Sequence, residues 1–353
     1  MSRQQPTKNR VKEYRRLRGW SQGRLSEKAA ISRAAVSAIE IGRLVPSVAS
    51  ALSLAEAFGC TVENLFGLDR QAPDAEAWAW PPTGDPCRFW LASVNGRRLR
   101  FPVENTVAGT LPHDGVWKRG KAMIVRNVYT PETTLVMAGC DPLAGLLALE
   151  YERACGLRLL PLYRSSSAAL ELLRQGAVHI AGIHLGSTDN EKANARAAKG
   201  VLGGGFSMWR YATWDQGLAM RPTVSTSSVN AVVRAGLRWM GREPGAGARQ
   251  CQDEILAKRP TPRRLARDHR GVAEAIRSGQ ADVGVCLRLV SEQAGLRFIP
   301  VRQETFDLCF PAALADDHRL KKLIELVRSP QLRELFSSFP GYKLSRTVEY
   351  RAI

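Results

Sequence analysis

Long apolar runs are missing from this sequence of 353 residues. No stretch approaches the roughly 18 consecutive apolar residues that a membrane-spanning helix needs. The N-terminus, MSRQQPTKNR, also lacks the apolar centre of a secretion signal. We therefore expect a cytoplasmic protein that makes no membrane contact.

Cysteines are few and widely spaced. There are seven of them, and no two stand in a CxxC pair. An odd number at wide spacing is not typical of a disulfide framework, and a zinc site needs a closer cluster. We expect reduced thiols inside the core, no metal site and no bound cofactor.

Acidic residues are outnumbered, with 33 Asp and Glu against 51 Lys and Arg, and the formal net charge is +18. Such a charge favours nucleic acid or another polyanion as a partner. Arginine is frequent throughout the chain, so charge alone does not establish that partner. The length allows two or three domains, and the hydrophobic content of 44% is that of a globular protein.

Residues 21–43 predict two short helices that are joined by a tight turn. Ser21 and Ser32 are good N-cap residues for the two helices, and Gly42 is a good stop for the second. A pair this short cannot bury a core alone, and amphipathic segments on both sides supply the missing helices. This is the geometry of a helix-turn-helix, whose second helix enters the major groove of DNA.

Residues 9–67 resemble a Cro/C1-type (Xre-like) repressor headpiece along their whole length. The matching residues include Arg15, Ser21, Gln22, Glu40, Gly42, Arg43 and Pro46. The resemblance implies a DNA-binding head in which Arg15 and Glu40 form a partly buried ion pair. Eleven basic and five acidic residues between Met1 and Gly67 agree with phosphate binding. The alternative is a small helical bundle that serves protein contacts.

The second helix of the pair should carry the residues that read bases. Arg33 can make a bidentate contact to guanine, and the methyl groups of Ala34 and Ala38 can touch thymine. Phosphate contacts are expected mainly from Gln22 and Arg43. The predicted DNA-binding set is Ser21, Gln22, Ser32, Arg33, Ala34, Ser37, Ala38 and Arg43. A two-fold operator and a homodimer are expected with this kind of head.

The composition changes twice before residue 130. Residues 68–86 contain four prolines and several acids, which predict a linker. Residues 87–129 alternate polar and apolar positions, with Asn95-Gly96 as a hairpin turn and Asp114-Gly115 as a second turn. We interpret this stretch as a small β-rich segment that serves as a spacer or as a dimer contact.

Strands and helices alternate from residue 130 to residue 345, which predicts parallel sheets with helices on both faces. Residues 173–182 and 276–284 echo each other as a helix end, a glycine turn and a strand that ends in glycine. Two similar lobes would produce this echo. A two-lobed clamp binds its ligand in the cleft between the lobes.

Residues 134–342 resemble a type II periplasmic-binding-protein fold, of the cytosolic variety that is fused to DNA-binding heads. The motifs that carry the resemblance are GCDP at 139–142, SSS at 165–167, AGIH at 181–184, REPGAGAR at 242–249, ADVG at 281–284, GLRFIP at 295–300 and PGY at 340–342. Molybdate-binding relatives of this fold imply an oxyanion or a molybdenum-cofactor-related compound as the ligand.

Three of these motifs stand where a strand meets the N-terminus of a helix, and free backbone N–H groups there favour an anion. The serines add hydroxyl donors, and an arginine can supply a charged fork. The predicted ligand-binding set is Cys140, Asp141, Ser165, Ser166, His184, Ala246, Gly247 and Arg249. Alternatively, Asp141 and the serines are only helix caps, and His184 is a structural histidine.

Together these features predict a multidomain protein. It consists of an all-α helix-turn-helix headpiece, a small β-rich connector and a two-lobed α/β domain of the periplasmic-binding-protein kind. We expect a transcription regulator that binds double-stranded DNA and a small-molecule effector, with no catalytic residues. One rival is a cofactor-biosynthesis enzyme with an autoregulatory head. The other is a ligand-independent DNA binder whose second domain dimerises.

Overall fold

The structure is a computed structural model that describes residues 9–60, 62–66, 76–104, 112–125, 129–187, 192–257, 259–345 and 350–353. It divides into two compact units, Met1–Ala75 and Glu76–Ile353. Residues 67–75, which hold much of the predicted linker, lie outside the described residues. No helix in the described ranges is long and apolar enough to cross a membrane.

The described part of the first unit contains five short helices. They are α1 (Val11–Leu17), α2 (Gln22–Lys28), α3 (Arg33–Glu40), α4 (Val48–Phe58) and α5 (Val62–Phe66). The predicted caps are present, since the hydroxyls of Ser21 and Ser32 accept hydrogen bonds from backbone N–H groups at the starts of α2 and α3. The apolar faces of the helices meet in one core, formed by Val11, Leu25, Val36, Ile39, Leu54, Phe58 and Leu65.

A buried ion pair joins α1 to the end of α3, as expected. Arg15 Nε lies 2.5 Å from Glu40 Oε1, and Arg15 Nη2 lies 2.9 Å from Glu40 Oε2. Gln22 Nε2 donates a third hydrogen bond to Glu40 Oε2 at 2.9 Å. Because both charges are largely removed from water, the pair fixes the position of α3 more than it adds stability.

The second unit begins with a five-stranded sheet of order β1-β3-β2-β4-β5. Its strands are β1 (Ala77–Trp78), β2 (Cys87–Val94), β3 (Arg97–Pro102), β4 (Gly115–Lys118) and β5 (Lys121–Ile124). Asn95 and Gly96 form the predicted hairpin turn, with φ values of 51° and 75°. The next hairpin turns at Arg119-Gly120.

The prediction of a turn at Asp114-Gly115 was wrong, because Gly115 begins β4 and Asp114 is buried. The Asp114 carboxylate accepts the backbone N–H of Leu91 at 2.6 Å and pairs with Arg158 at 2.7 Å. The sequence pattern resembled a turn because an Asp-Gly pair is also a frequent turn signal.

The small sheet shares its core with the first α/β lobe. Trp90 and Phe101 pack in one apolar cluster with Leu160 and Leu170. His179 adds a polar contact, since its Nε2 lies 2.8 Å from the carbonyl oxygen of Ser93. The segment that we interpreted as a connector therefore belongs to the second unit, together with β1, which falls inside the range interpreted as linker.

Ten further strands form the main sheet, whose principal order is β11-β10-β12-β9-β13-β8-β6-β7. They are β6 (Thr134–Gly139), β7 (Arg158–Tyr163), β8 (Ile180–Ser187), β9 (Phe206–Met220), β10 (Trp239–Arg242), β11 (Leu265–Ala266), β12 (Val283–Leu287), β13 (Arg297–Pro311), β14 (Tyr342–Leu344) and β15 (Tyr350–Ala352). The strands β6, β7 and β8 are parallel and define the first lobe. The strands β10, β11 and β12 are parallel and define the second lobe.

Helices cover both lobes. They are α6 (Ala144–Cys155), α7 (Ser166–Arg174), α8 (Ala193–Leu202), α9 (Val229–Arg234), α10 (Gly247–Leu256), α11 (His269–Arg277), α12 (Arg288–Gln293), α13 (His318–Arg328) and α14 (Pro330–Ser337). The first lobe includes α6–α8 and α13, and the second lobe includes α9–α12. The two echoing segments occupy equivalent places, since each contains a helix, a left-handed glycine and a parallel strand.

Two long antiparallel strands connect the lobes. β9 and β13 have 15 residues each and pair along most of their length. The last part of β9 pairs with β12 of the second lobe, and the last part of β13 pairs with β8 of the first lobe. The alternating pattern predicted the parallel strands but not these two strands, which cross from one lobe to the other.

Candidate functional site

The exposed face of α3 and its N-cap carry the residues of this helix that belong to the predicted DNA-binding set. This face comprises Ser32, Arg33, Ala34, Ser37 and Ala38. The first three of them are exposed and the last two are half-buried. Val36 and Ile39, on the other side of the helix, are buried in the core of the first unit. The helix therefore has one face for packing and one face that is available for the major groove.

The predicted phosphate contacts differ in their surroundings. Arg43 is exposed just after the end of α3. Ser21 is exposed as well, and its hydroxyl caps α2 by accepting the N–H of Arg24 at 3.1 Å. The amide of Gln22 is half-buried and bonded to Glu40. Arg43 therefore offers the most accessible charge for phosphate.

An exposed apolar patch follows the recognition helix, and sequence reasoning did not identify it. The patch consists of Ile41, Leu44, Val45, Val48 and Leu52. Val48 and Leu52 are 78% and 57% exposed and stand one turn apart on α4. Exposed apolar side chains that are clustered in this way within twelve residues are typical of an interaction site.

Loops from the two lobes of the second unit meet at residues 165–167 and 245–247. The backbone N–H and the hydroxyl of Ser167 both lie 3.3 Å from the carbonyl oxygen of Gly245. Across the same cleft, Arg270 Nη2 lies 3.4 Å from the carbonyl oxygen of Pro142. The three predicted loops therefore all lie where the two lobes contact each other.

The two predicted serines are both engaged within the protein. Ser165 caps α7, since its hydroxyl accepts the N–H of Ala168 at 3.4 Å. Ser166 is fully buried, and its hydroxyl accepts the backbone N–H of His184 at 3.1 Å. Each hydroxyl keeps its own proton for donation to a further acceptor.

Gly247 is a point of close approach between the lobes. A Cβ atom at this position would stand 1.9 Å from the backbone oxygen of His184 and 2.7 Å from its Nδ1. Ala246 and Gly247 are both buried. Glycine is required here because no other residue lets the first turn of α10 come so near to β8.

His184 is fully buried and forms an ion pair in the middle of the cleft. Its Nδ1 lies 2.8 Å from Glu304 Oε2, and Arg302 holds the other oxygen of that carboxylate at 2.7 Å. Burial alone would lower the pKa of His184, but the Cys140 thiol and the Glu304 carboxylate raise this pKa to about 10. The ion pair with Glu304 therefore favours the protonated form of the His184 ring at this buried position.

Asp141 lies beside this cation and is 2% exposed. Its Oδ1 accepts the N–H of Leu143 at 2.9 Å, and its Oδ2 accepts the hydroxyl of Tyr342 at 3.1 Å. Burial raises the pKa of Asp141 to about 6, and these hydrogen bonds oppose the rise. Both carboxylate oxygens have protein partners, so Asp141 shapes the loop around the preceding residue, the buried Cys140.

Arg249 turns its guanidinium toward its own lobe. Its Nε lies 2.8 Å from both carboxylate oxygens of Asp253. The two terminal nitrogens donate to the carbonyl of Arg242 and to the hydroxyl of Thr261, each at 3.1 Å. Each of the three guanidinium nitrogens has a protein partner, so this side chain helps to hold α10, and one N–H of each terminal nitrogen is left for a further acceptor.

Sequence reasoning missed several buried polar groups around the cleft. Arg242, His269 and Gln216 are fully buried. Within the described residues, Arg242 Nε, His269 Nε2 and both amide atoms of Gln216 have no hydrogen-bond partner. The signal for Arg242 and His269 was their place at a strand end and at a helix start, but neither place distinguishes a ligand contact from a cap.

A cavity of about 800 Å³ adjoins the cleft and runs along α6 and β7. Its wall includes Asp141 at the cleft, Leu146 and Leu149 on α6, and Trp90 of the small sheet. Most of the wall is apolar, and the sequence analysis did not predict this cavity.

In the described parts of the chain, no group of three or more His, Cys, Asp or Glu residues could hold a metal ion.

Comparison with known families agrees with this architecture. Residues 148–328 match the family described as the PBP superfamily domain, and residues 11–65 match the helix-turn-helix family. The first match spans just over half of the chain, so the protein belongs to the PBP superfamily. It carries a helix-turn-helix domain of the Xre type at its N-terminus.

Individual relatives cover the two parts separately. The HTH-type transcriptional regulator YgzD of Bacillus subtilis (strain 168) is 42% identical over 64 residues, which are 18% of this chain and 97% of that protein. The protein YvgK of the same organism is 26% identical over 223 residues, covering 60% of this chain and 72% of YvgK. A tungstate ABC transporter structure from Geobacter sulfurreducens has a TM-score of 0.45 at 13% identity, covering 58% of this chain and 98% of that one.

Proposed function

We propose that this protein is a transcription regulator whose affinity for DNA is controlled by a small anion bound between the two lobes. One observation supports the proposal: the same chain joins a helix-turn-helix unit to a PBP-superfamily domain whose predicted ligand loops lie where its two lobes meet. Its relatives are HTH-type regulators and its main domain is a binding domain, so we infer a sensor rather than an enzyme. A DNA-binding regulator acts where the DNA is, which favours the cytoplasm.

On the DNA side, we assign base contacts to α3 and phosphate contacts to the residues around it. Arg33, Ala34, Ser37 and Ala38 face base edges, with Ser32 capping the helix at the DNA surface. Arg43 provides the main phosphate contact, and Ser21 and Gln22 add weaker ones from the start of α2. The apolar patch at 41–52 supports a homodimer, because exposed apolar side chains beside the recognition helix can be covered by a second copy.

On the ligand side, the cleft offers a charged imidazolium, two serine hydroxyls and the N-termini of α7 and α10. These groups favour an anion. An oxyanion such as molybdate, or a molybdenum-cofactor-related compound, is the first candidate. Cys140, Asp141, Ser165, Ser166, His184, Ala246 and Gly247 form the proposed wall. Arg249 is held by Asp253, so we assign it to the support of α10.

The test uses the full-length protein and a duplex selected from a random pool. The dissociation constant for this duplex is measured by fluorescence anisotropy with and without molybdate, phosphate or citrate at constant ionic strength. We expect at least one anion to change this constant, because a ligand that binds two lobe arrangements differently shifts their populations. The constant for random duplex serves as the control. If anions that bind the protein leave operator affinity unchanged, the proposal is wrong.

A further inference from the structure

Arg242 is a buried charged side chain that has no carboxylate within ion-pair distance among the described residues, although the charge of the neighbouring Glu243 interacts with it over a longer distance. It is the last residue of β10, its exposed fraction is 0%, and within the described chain it forms no ion pair with a carboxylate. Its Nη1 lies 3.2 Å from His269 Nδ1, and its Nη2 lies 3.2 Å from the carbonyl oxygen of Arg267. Its Nε has no partner. A buried charge of this kind is costly unless something negative offsets it.

The neighbouring His269 has a fixed tautomer. A guanidinium can only donate, so His269 Nδ1 must accept the bond from Arg242, and the ring proton must sit on Nε2. Burial and the positive charge of Arg242 lower the pKa of His269 well below its usual range, so the ring stays neutral. The N–H at Nε2 is buried and has no protein acceptor.

His184 faces this pair from the first lobe. The ring centroids of His184 and His269 are 6.0 Å apart. With Nδ1 bonded to Glu304, Nε2 of the imidazolium is left without an aligned hydrogen bond, although the Cys140 thiol interacts with the ring. Three fully buried residues from both lobes thus present N–H groups that have no aligned hydrogen bond in the described chain, and the Cys140 thiol is a neighbour of one of them, His184. Unsatisfied buried donors are rare in folded proteins.

We propose that Arg242, His269 and His184 form the anion-binding centre of the cleft, with Arg242 as the anchoring charge. This inference rests on the proposed ligand-sensing function and names the chemistry of its site. The group that fits is an oxyanion group of a ligand, tetrahedral or carboxylate, because it accepts several hydrogen bonds and brings the missing negative charge. Arg242 lies at the carboxyl end of a strand, where ligands of open α/β sheets bind.

The experiment compares two arginines of the same lobe. Arg242→Met removes the charge and keeps most of the aliphatic stem. Arg249→Met is the matched control, because Arg249 is already paired with Asp253. Thermal unfolding of the full-length proteins is followed by tryptophan fluorescence in sodium chloride, and again with molybdate, phosphate or citrate at equal ionic strength. The inorganic anions and citrate distinguish a bare oxyanion from a carboxylate ligand.

Without added anion, we expect Arg242→Met to unfold at the same temperature as the wild type or at a higher one, since an uncompensated buried charge is gone. Anion affinity should fall by at least about tenfold in this variant, because a charge-assisted contact is lost. Arg242→Lys should recover part of that loss. Arg249→Met should keep the anion response of the wild type.

Three results would overturn the assignment. The first is an Arg242→Met protein that is less stable than the wild type while its anion affinity is unchanged. The second is an anion response that depends on Arg249 and not on Arg242. The third is a wild type whose unfolding temperature no anion changes. Arg242-dependent anion binding without an effect on operator affinity would support the centre and refute the regulatory function.

Discussion

At the scale of single residues, the DNA-binding surface separates into two kinds of arginine. Arg33 begins α3 and points from its exposed face, while Arg43 follows the end of the helix. A base contact carries sequence information, and a phosphate contact carries none. The difference is measurable because the two contacts respond differently to base changes and to salt.

We expect Arg33→Ala to relax the preference at one base pair at a cost of about 1–3 kcal/mol. Arg43→Ala should weaken all sequences alike and lower the slope of log affinity against log salt by about one unit. Both effects can be read from anisotropy titrations on the operator, on point variants of it and on random duplex. Equal losses on operator and random DNA for both variants would show that Arg33 reads no base.

The ion pair in the head predicts an asymmetry between single and double variants. Glu40→Ala leaves Arg15 charged, 13% exposed and without its partner, which should cost about 3 kcal/mol. The double variant Arg15→Met/Glu40→Leu should cost clearly less, because no uncompensated charge stays behind.

Hydrogen exchange of α1 and α3 peptides in the full-length protein measures this effect. In Glu40→Ala these peptides should exchange roughly a hundredfold faster through local opening. The peptides of the second unit are the internal control. A double variant whose loss equals the sum of the two single losses would mean that the residues do not interact.

The surroundings of His179 predict that the second unit becomes less stable at acidic pH. It is buried between the backbone N–H of Val136 and the carbonyl of Ser93, and burial together with the Arg319 charge lowers its pKa from 6.5 to about 4. The unfolded chain therefore binds more protons between these two values. The contribution of His179 to the free energy of unfolding is therefore complete above pH 6.5, and about 3 kcal/mol of it is lost as the pH decreases toward 4.

Urea unfolding at several pH values, followed by tryptophan fluorescence, checks this prediction. His179→Gln can keep both hydrogen bonds but cannot titrate, so its stability should fall less over the same pH interval. The comparison between the two proteins cancels the contribution of the other histidines. If both proteins lose the same free energy between pH 6.5 and 4.5, His179 is not responsible.

Sequence reasoning at this scale found the residues that local chemistry fixes. The caps Ser21 and Ser32 were predictable because an N-cap acts on backbone three residues away. The engagement of Arg249 by Asp253 and the isolation of Arg242 were not predictable. They depend on which neighbours the tertiary fold brings within hydrogen-bond distance, and both arginines stand in the same short motif.

At the scale of elements, α10 of the second lobe contacts β8 of the first lobe at Gly247 and His184. We expect closure of the two lobes to depend on this contact. Gly247→Ala would place a Cβ atom 1.9 Å from the backbone oxygen of His184. Because that oxygen belongs to the backbone of β8, the clash can be relieved only if the two lobes move apart. Gly200→Ala on α8 is the matched control, because a Cβ atom there meets nothing within 4 Å. A helical Gly→Ala change in open space usually stabilises slightly.

We expect Gly247→Ala to expose the cleft and to weaken anion binding, while Gly200→Ala does neither. Hydrogen exchange of residues 165–187 and 242–256 should rise in the first variant only. Operator binding should then no longer respond to anions. Wild-type exchange together with a wild-type anion response in Gly247→Ala would show that this contact is not needed for closure.

The parallel strands and their helices were predictable from the alternation of apolar patterns after residue 130. The crossing strands β9 and β13 were not, because a 15-residue strand that is buried on one lobe and then on the other shows no single period. The small sheet was predicted as a sheet from its hairpin signal. Its attachment was missed because a shared core is a property of two segments far apart in sequence.

At the scale of the whole molecule, the chain divides into two units after Ala75, which lies inside the stretch that the sequence predicts as a linker. The head has its own apolar core, and the second unit has its own clusters. Removal of the head should therefore leave the change of unfolding temperature that anions cause in the second unit. Removal of the second unit should leave DNA binding that no longer responds to anions.

The apolar core shared by the small sheet and the first lobe makes these two parts a stationary frame. The chain from the head enters the second unit at β1, which belongs to this frame. If ligand binding closes the lobes, as we propose, the second lobe changes its position relative to this frame. A second copy of the protein that contacts only this frame would keep its position when the ligand binds. A second copy that contacts the second lobe would be displaced each time the ligand binds. We therefore expect ligand binding to be transmitted to a neighbouring copy through the position of the second lobe.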